Sequence, residues 1–373
     1  MKKILRIIFV VFLIYAVWLG VGILSYKQHD STPIQDSFHE VQGVYHIHTT
    51  YSDGTKTPWE IAKIASTAGL EFIILTDHGN PNFESLSAEG WKEGVLVLAG
   101  SELSTSRGHL VALNFDLPDK NFAQDADSAA YQVSRLNGFS IIAHPYSKIQ
   151  WTWGESIYSA GLEIINADSM LKNRIWRWIP FTPSLILKPQ YFLLKILNVP
   201  KKNLFKWDAL NLNHQIYGYY STDAHLLYKS LMFFLRLHLL LKQPLSSEFK
   251  EVKKQIFNAL KQGQFYNAID AAAQAEGFRF WATAGEKTIS MGGSTSLDSP
   301  TTLHVRLPLS ISKETHIIFN GQSILQSPDD RIDFRVEEPG VYRIEVYLKE
   351  RSPLNKKIPW ILSNPIFVKE KTS

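Results

Sequence analysis

The sequence predicts an α/β fold in which a barrel-like parallel sheet is covered by helices, with an apolar helix before it and a small antiparallel β-sandwich-like domain after it. Three observations lead to this prediction. Short apolar segments alternate with helical segments from residue 41 to about residue 285, the first 25 residues contain a long uncharged run, and the residues from 286 onward change to alternating strands. Continuous apolar strands separated by helices are typical of parallel sheets, and so many repeats in one domain favour a barrel over an open sheet.

The N-terminal segment predicts a membrane anchor over residues 1–25. Lys2, Lys3 and Arg6 precede an uncharged run from Ile7 to about Ser25. At about 1.5 Å per residue, such a helix nearly spans a hydrocarbon core of about 30 Å. The length favours an uncleaved anchor over the alternative of a cleaved signal peptide. The charges predict a single-pass protein with a cytoplasmic N-terminus and the remaining domains outside the cytoplasm, after a linker at 26–40.

The predicted central domain covers residues 41–285. Strands are predicted at 43–48, 72–76, 95–99, 109–114, 139–143, 162–166 and 215–220, and helices at 59–68, 126–136 and 248–262. The first of these helices has Pro58 at its start and Gly69 at its end, which are the preferred positions of these residues. The apolar stretch 226–241 predicts a core helix, with a membrane-surface segment as the alternative.

An aromatic and basic stretch at 171–212 interrupts the strand–helix alternation. We interpret it as an insertion over one end of the barrel. Arg174, Arg177 and the lysines that follow them are interleaved with Trp, Phe and Leu. This pattern favours a membrane-surface patch, and a cationic rim for anionic substrates is the alternative.

The C-terminal residues 286–373 predict a separate antiparallel β domain. Alternating segments occur at 303–307, 317–319, 332–336 and 341–347, and Asn320-Gly321 and Pro339-Gly340 mark turns between them.

Composition limits the chemistry that the chain can perform. The chain has no cysteine, which excludes disulfides, thiolate metal sites and a cysteine nucleophile. The net charge of +4 is small and not concentrated, so a dedicated nucleic-acid interface is not favoured.

Histidines and carboxylates cluster at the ends of the predicted strands. They are His46, His48, Asp53, Asp77, His78, Glu102, His109, His144, Asp223 and His225. Singly, each is more often a packed residue, a turn residue or a helix cap. Because strand ends meet on one face of an α/β barrel, the set as a whole predicts a metal centre. Imidazole and carboxylate ligands without thiolate suit zinc, manganese or iron. His214, His238, His304 and His316 do not follow the pattern and are interpreted as structural.

The order of these motifs resembles the polymerase-and-histidinol-phosphatase (PHP) superfamily over roughly residues 41–267. The resemblance implies a distorted (β/α)7 TIM-like barrel with a trinuclear metal site. It assigns His46, His48, Glu102 and Asp223 to one ion, Glu102, His109 and His144 to a second, and Asp53, His78 and His225 to a third. Residues 359–366 are similar to the ending of a carbaryl-hydrolase-related subgroup, in which a small β domain follows the barrel.

The resemblance also implies an activity. It predicts a hydrolase with two or three divalent ions (Mn, Zn or Fe), which activate a bridging hydroxide as the nucleophile. The favoured substrates are small-molecule phosphate esters. The alternatives are an amide, ester or carbamate hydrolase with the same site, and a non-catalytic metal-binding interaction protein. Arg107, just before His109, is predicted to contact a phosphate or to be an exposed loop charge. Asp77 is predicted to orient His78 or to cap the following segment.

Overall fold

The computed structural model describes residues 1–30, 38–154, 158–173, 175–308, 311–350 and 352–371. The helices are α1 (Lys2–Ser25), α2 (Pro58–Thr67), α3 (Phe83–Ser87), α4 (Ala126–Arg135), α5 (Ala167–Asn173), α6 (Ile175–Trp178), a 3-10 turn (Ile179–Phe181), α7 (Thr182–Leu187), α8 (Pro189–Ile196), α9 (Lys201–Asn211), α10 (Tyr228–Met232) and α11 (Phe249–Lys261). The strands are β1 (His39–Ile47), β2 (Phe72–Leu75), β3 (Gly90–Lys92), β4 (Val95–Thr105), β5 (Gly108–Leu113), β6 (Phe139–Ile142), β7 (Gly161–Asn166), β8 (Tyr217–Ser221), β9 (Arg236–Leu241), β10 (Phe265–Ala268), β11 (Arg279–Ala284), β12 (Lys287–Ser290), β13 (Ser294–Ser296), β14 (Thr301–Arg306), β15 (Lys313–Phe319), β16 (Gln322–Ser327), β17 (Arg331–Val336), β18 (Gly340–Leu348), β19 (Ile361–Ser363) and β20 (Ile366–Lys369).

Seven strands in the order β1-β2-β4-β5-β6-β7-β8 form the central sheet. The β1–β2, β2–β4, β6–β7 and β7–β8 pairs are parallel, as predicted. The prediction of an entirely parallel sheet is wrong at β5, which is antiparallel to both β4 and β6. Only the two residues Ser106 and Arg107 separate β4 from β5, and so short a connection joins antiparallel strands. The start of β5 therefore lies beside the C-terminal ends of β4 and β6.

The two outer strands of this path are joined by backbone hydrogen bonds. The Ala224 amide donates to the His46 carbonyl at 3.2 Å, and the His48 amide donates to the Ala224 carbonyl at 3.0 Å. The residues that follow β1 and β8 are therefore neighbours in space.

The stretch 226–241 differs from its prediction as a helix. Only Tyr228–Met232 is helical, and Arg236–Leu241 forms β9, which lies antiparallel between β1 and β10. Its run of leucines is apolar on both faces because the strand is buried: Leu237 and Leu239 are fully buried. A short continuous apolar run does not distinguish a buried strand from a buried helix.

Alternate residues of the central strands enter two hydrophobic clusters. Ile73 and Leu75 of β2 belong to the cluster that contains α2, whereas Phe72 and Ile74 belong to the second cluster. α11 contributes one apolar face to the second cluster, through Val252, Ile256, Phe257 and Leu260. The alternation of side chains along each strand thus buries both faces of the sheet.

α1 is the one helix among the described residues that is long and apolar enough to cross a membrane. Its second half packs on the 171–212 stretch. Tyr15 donates a hydrogen bond to the Pro180 carbonyl at 2.7 Å, and the rings of Trp18 and Phe181 lie 5.6 Å apart. Residues 31–37 of the predicted linker and Arg174 of the predicted basic patch lie outside the described residues.

The C-terminal part contains the expected antiparallel strands in two sheets. β12, β11, β14 and β17 form one of them. β13, β15, β16, β18, β19 and β20 form the other, in which β13 is parallel to β20. This sheet continues into the central sheet through the β10–β19 pair. Leu303 of the first sheet and Ile344 of the second belong to one hydrophobic cluster. β11 begins at Arg279, before the predicted domain boundary at residue 286.

Candidate metal centre

The predicted ligands come from the ends of six neighbouring strands. His46 and His48 lie at the end of β1, His78 lies after β2, Glu102 lies in β4, His109 lies at the start of β5, and His144 lies after β6. Asp223 and His225 follow β8, and Asp53 lies in the loop after β1. His109 reaches the group because β5 is antiparallel to its neighbours.

Glu102 is the centre of the group and is 1% exposed. Its Oε1 lies 2.8 Å from His109 Nδ1 and 2.9 Å from His144 Nε2. Its Oε2 lies 3.3 Å from His46 Nε2, 3.2 Å from His48 Nε2 and 3.3 Å from His78 Nδ1. One carboxylate thus contacts five imidazoles, as expected for a group that can bridge cations.

One set of potential ligands is fully buried. It consists of His46, His48, Glu102 and Asp223, whose potential ligand atoms all lie within 4.8 Å of one another. Asp223 Oδ1 lies 3.4 Å from His46 Nε2 and 3.1 Å from His48 Nε2. Two imidazoles and two carboxylates in this arrangement match the donor set of a transition-metal site.

A second set lies nearer the surface and consists of His48, Asp53, His78 and His225. Asp53 Oδ1 lies 3.2 Å from His225 Nε2, and the Asp53 side chain is 57% exposed. The His48 and His225 rings are stacked 4.2 Å apart. His48 belongs to both sets, so the two sets share one potential ligand. The second set is accessible from solvent.

The electrostatics of the group favour charged carboxylates. Burial alone would raise the pKa of Glu102, but His46 and the hydrogen bonds from His109 and His144 hold that pKa well below its usual value. Burial opposes the charge of His48, yet Asp223 and Glu102 raise its pKa to about 9. Imidazoles and carboxylates this close need protons or cations between them, because like charges and burial would otherwise disfavour the arrangement.

At this site, one buried nitrogen has no hydrogen-bond partner among the described residues. Nε2 of His48 lies close to two carboxylate oxygens, yet it makes no hydrogen bond of acceptable geometry to the described residues. Buried polar atoms are nearly always satisfied, so such an exception calls for an explanation. A metal ion that accepts the Nε2 lone pair would explain this exception. The surrounding nitrogen and oxygen donors suit such an ion.

Three potential ligands have a strained backbone. His46, His144 and Asp223 have φ angles of 67°, 26° and 50°, in a region that residues other than glycine rarely adopt. At His46 the β1–β2 register also shifts. Strain of this kind is concentrated at functional sites, where the surrounding structure enforces it.

Glu163, which is fully buried in β7, was not predicted from the sequence. Its Oε1 lies 2.6 Å from His46 Nδ1, and its Oε2 accepts hydrogen bonds from the His144 amide at 2.8 Å and from Asn166 Nδ2 at 2.9 Å. Asn166 also donates to Asp223 Oδ2 at 3.1 Å. A carboxylate inside the apolar segment Gly161–Asn166 was the signal that could have revealed it, since unpaired charge is costly in a buried strand.

Asp168 is a second missed residue. It forms a potential ligand group with Asp223 and His225, and it pairs with Lys172.

Asp77 lies beneath the site and holds the loop that carries Asp53. Its Oδ1 accepts hydrogen bonds from the Thr49 amide at 2.6 Å and from Ser52 Oγ at 2.7 Å, and its Oδ2 accepts one from Thr49 Oγ1 at 2.9 Å. The structure thus places its carboxylate on the loop after β1, a position that neither prediction for Asp77 named.

Arg107 lies between β4 and β5 and is paired with a carboxylate. Its Nη2 lies 2.8 Å from Asp127 Oδ2 of α4, and the side chain is 23% exposed. The structure therefore places it in an ion pair rather than as an isolated loop charge.

Of the four histidines predicted to be structural, His214 is exposed and the other three lie in contacts outside the site. His238 lies between Glu40 at 2.8 Å and Asp270 at 3.1 Å. His304 lies 2.7 Å from Asp333, and His316 lies 3.0 Å from Glu314, both in the C-terminal sheets.

Comparison with known proteins points to one family. A family model described as the PHP domain matches residues 45–170. An uncharacterized protein of Methanocaldococcus jannaschii is 31% identical over 151 residues, which cover 34% of this chain and 85% of the relative.

Two solved structures share weaker similarity. One, from Bacteroides vulgatus, is described as a two-domain protein containing a predicted PHP-like metal-dependent phosphoesterase. It is 15% identical, and the alignment covers 91% of this chain and 99% of that protein, with a TM-score of 0.46. An amidohydrolase of Chromobacterium violaceum with bound sulfate and no metal is 15% identical, covers 49% of this chain and 87% of its own, and has a TM-score of 0.32. On the evidence of the family model and the archaeal relative, the chain belongs to the PHP domain family.

Proposed function

We propose that this protein is a metal-dependent hydrolase of phosphate esters. The observation that carries the proposal is the pair of four-residue sets that share His48, together with Glu102 of the buried set, which contacts five imidazoles. The nine proposed ligands are His46, His48, Asp53, His78, Glu102, His109, His144, Asp223 and His225, and they suit two or three manganese, zinc or iron ions. Bound ions of this kind supply Lewis acidity and lower the pKa of water.

The remaining residues act on the ligands. Glu163 fixes the ring orientation of His46 through Nδ1 and leaves Nε2 directed toward Glu102 and Asp223. Asn166 holds Asp223 and Glu163 together. Partners of this kind fix the tautomer and geometry of metal ligands. Asp77 and Arg107, the predicted catalytic residues, are proposed to act by positioning the 49–53 loop and the β4–β5 connection.

The cavity beside the site favours an anionic substrate. It reaches His144 and Asn166, and its described lining contains five lysines and no carboxylate. Such a lining attracts phosphate esters more strongly than neutral amides or esters. The family membership and the β8–β1 hydrogen bonds also support a distorted (β/α)7 barrel as the complete form of the central sheet.

We further propose that α1 anchors the protein in a membrane with the hydrolase domain outside the cytoplasm. The length and apolar character of Lys2–Ser25 support an anchor. The basic residues before the apolar run support the orientation.

The proposal is tested by elemental analysis and turnover on one preparation of the full chain. We expect two to three metal ions per chain and hydrolysis of p-nitrophenyl phosphate, both strongly reduced in His46→Ala and Asp223→Ala. His304→Ala, a histidine variant in the C-terminal domain, is the matched control and should change neither quantity. Hydrolysis of p-nitrophenyl acetate alone would favour an ester, amide or carbamate hydrolase instead. A folded chain that takes up neither manganese nor zinc would refute the metal-dependent activity.

A further inference from the structure

A large cavity connects the candidate metal centre with the 171–212 insertion. Its volume is about 1240 Å³. It extends from His144 and Asn166 to the α8–α9 connection and to a C-terminal loop at 352–357. This volume exceeds what a single phosphate group fills, so the cavity has room for a second polar group and for part of an apolar chain.

The charge of the cavity wall has one sign. Five exposed lysines line it: Lys195, Lys201, Lys202, Lys356 and Lys357. Among the described residues none of the five forms an ion pair with a carboxylate. Two instead lie over aromatic rings: Lys195 is 5.9 Å from the ring centre of Phe181, and Lys202 is 5.7 Å from that of Tyr146. These ammonium groups are available to an anion, and they belong to segments other than those that carry the proposed metal ligands.

The packing of α1, the proposed anchor, would place the insertion at the membrane. Tyr15, Trp18 and Leu19 contact the rest of the protein, and Leu19 is 5% exposed. The apolar residues between Ile4 and Ile14 are each at least half exposed. The 13 residues 2–14 span only about 20 Å, whereas a hydrocarbon core is about 30 Å thick. If α1 crosses the bilayer, the protein around its second half must enter the outer leaflet.

The insertion presents the side chains that such an arrangement requires. Trp176, Ile186 and Leu187 are 85%, 87% and 69% exposed, and they lie in α6 and α7 next to the segment that contacts α1. Exposed apolar side chains near basic residues are typical of segments that lie in the membrane interface. Phe181 contacts Trp18 of α1 on one side and lines the cavity on the other. The cavity is therefore separated from the anchor by a single side chain.

We infer that the cavity binds a membrane lipid whose headgroup carries two anionic groups. This inference rests on the proposed hydrolase function, because one phosphate of the headgroup would lie at the metal ligands. The second anionic group would contact the five lysines, and the acyl chains would remain in the bilayer beside α1, α6 and α7. Free diphosphorylated headgroups share the charged chemistry, but they lack the apolar part that the exposed face accommodates.

The test measures lipid retention on the full chain by native mass spectrometry. The protein is released from two sets of dodecyl maltoside micelles, which contain phosphatidylinositol 4-phosphate or phosphatidylcholine at the same mole fraction. We expect retention of one phosphatidylinositol 4-phosphate and little phosphatidylcholine. Lys201→Gln/Lys202→Gln should weaken retention by about tenfold or more, since each lysine near an anionic headgroup contributes substantially. Lys250→Gln/Lys254→Gln, which removes two exposed lysines from α11, should leave retention unchanged.

Three outcomes would overturn the inference. Equal retention of the two lipids, or an equal loss in both double variants, would mean that the cavity lysines do not select the headgroup. Displacement of the lipid by an equal concentration of free inositol 1,4-bisphosphate would mean that the apolar part contributes nothing. Hydrolysis of p-nitrophenyl phosphate is measured on the same sample, because normal turnover without lipid selectivity would refute this inference and leave the hydrolase proposal intact. Selective lipid retention without turnover would refute the hydrolase proposal alone.

Discussion

Glu163 Oε1 lies 2.6 Å from His46 Nδ1, and both side chains are 0% exposed. The same carboxylate accepts hydrogen bonds from Tyr45 Oη at 2.9 Å and from the His144 amide at 2.8 Å. Glu163 thus connects the end of β1 with the end of β6. Burial alone would raise its pKa, but His46 holds that pKa below its usual value, so Glu163 is a charged partner. This contact fixes which nitrogen of His46 is directed into the ligand group.

Replacing this charged partner should weaken the metal site without removing a ligand. We expect Glu163→Gln to lower metal affinity and turnover by about 10- to 100-fold, since partners that orient ligand histidines have effects of this size. Elemental analysis after dialysis against a graded chelator series measures the affinity. Glu89→Gln, which alters a carboxylate paired with Lys253, is the control. Unchanged metal affinity in Glu163→Gln would show that His46 does not depend on this contact.

Asp77 should matter for the more exposed ligand set. Its carboxylate accepts three hydrogen bonds from Thr49 and Ser52, and Asp77→Asn replaces one acceptor oxygen with a donor. We expect a loss of about 2 kcal/mol in the free energy of unfolding, because hydrogen bonds to buried charged groups are strong. We also expect a lower metal count, since Asp53 lies on the loop that Asp77 holds. Urea unfolding and elemental analysis measure the two effects, and a full metal count would contradict the role given to this loop.

His238 and Glu40 should make stability depend on pH. Burial opposes the charge of His238, but Asp270 and Glu40 raise its pKa from 6.5 to about 9. Burial likewise opposes the charge of Glu40, but His238 and Arg279 lower its pKa from 4.5 to about 2. The folded state binds the His238 proton more tightly than the unfolded state does. Its contribution is therefore complete below pH 6.5 and is lost as the pH rises through 9. The Glu40 contribution is complete above pH 4.5 and is lost as the pH falls through 2.

The measurement is the free energy of unfolding between pH 5 and pH 10 in urea. A shift of the His238 size corresponds to about 3 kcal/mol across its titration. We expect His238→Gln to be less stable than the wild type at pH 6. Its free energy of unfolding should also show little of the decline that the wild type shows between pH 6.5 and pH 9. The variant His214→Gln alters a histidine outside this cluster and should retain the decline. Parallel pH profiles for His238→Gln and the wild type would contradict the assignment.

Arg343 should connect the C-terminal sheet with the insertion. It is 5% exposed in β18, pairs with Asp208 of α9 and lies 2.6 Å from Glu345. Arg343→Met would leave the Asp208 and Glu345 carboxylates without their cation, and we expect a loss of about 3 kcal/mol in the free energy of unfolding. Arg335→Met, at an exposed position of β17, should have little effect. Two separate unfolding transitions in the wild type would show instead that the C-terminal sheets unfold independently of the central domain.

The types of ligand and their approximate positions could be predicted from the amino-acid sequence. Strand ends that carry His46, His48, Glu102, His144 and Asp223 were identifiable because each follows or ends a short apolar segment. The absence of cysteine restricted the donors to nitrogen and oxygen, and the uncharged run before Ser25 indicated a long apolar helix. These features depend on local pattern, which a sequence displays directly.

The partners of the ligands could not be predicted from local sequence, because they come together only in the folded chain. The strand at Arg236–Leu241 depends on its pairing with β1, which lies far from it in the chain. Glu163 is 117 residues away from His46, so no local spacing connects the two. The same holds for the lysines at 195–202 and 356–357, which line one cavity because separate elements fold around it. Burial and charge pairing are properties of the assembled chain, and they decide which polar residues support the site and which stay in solvent.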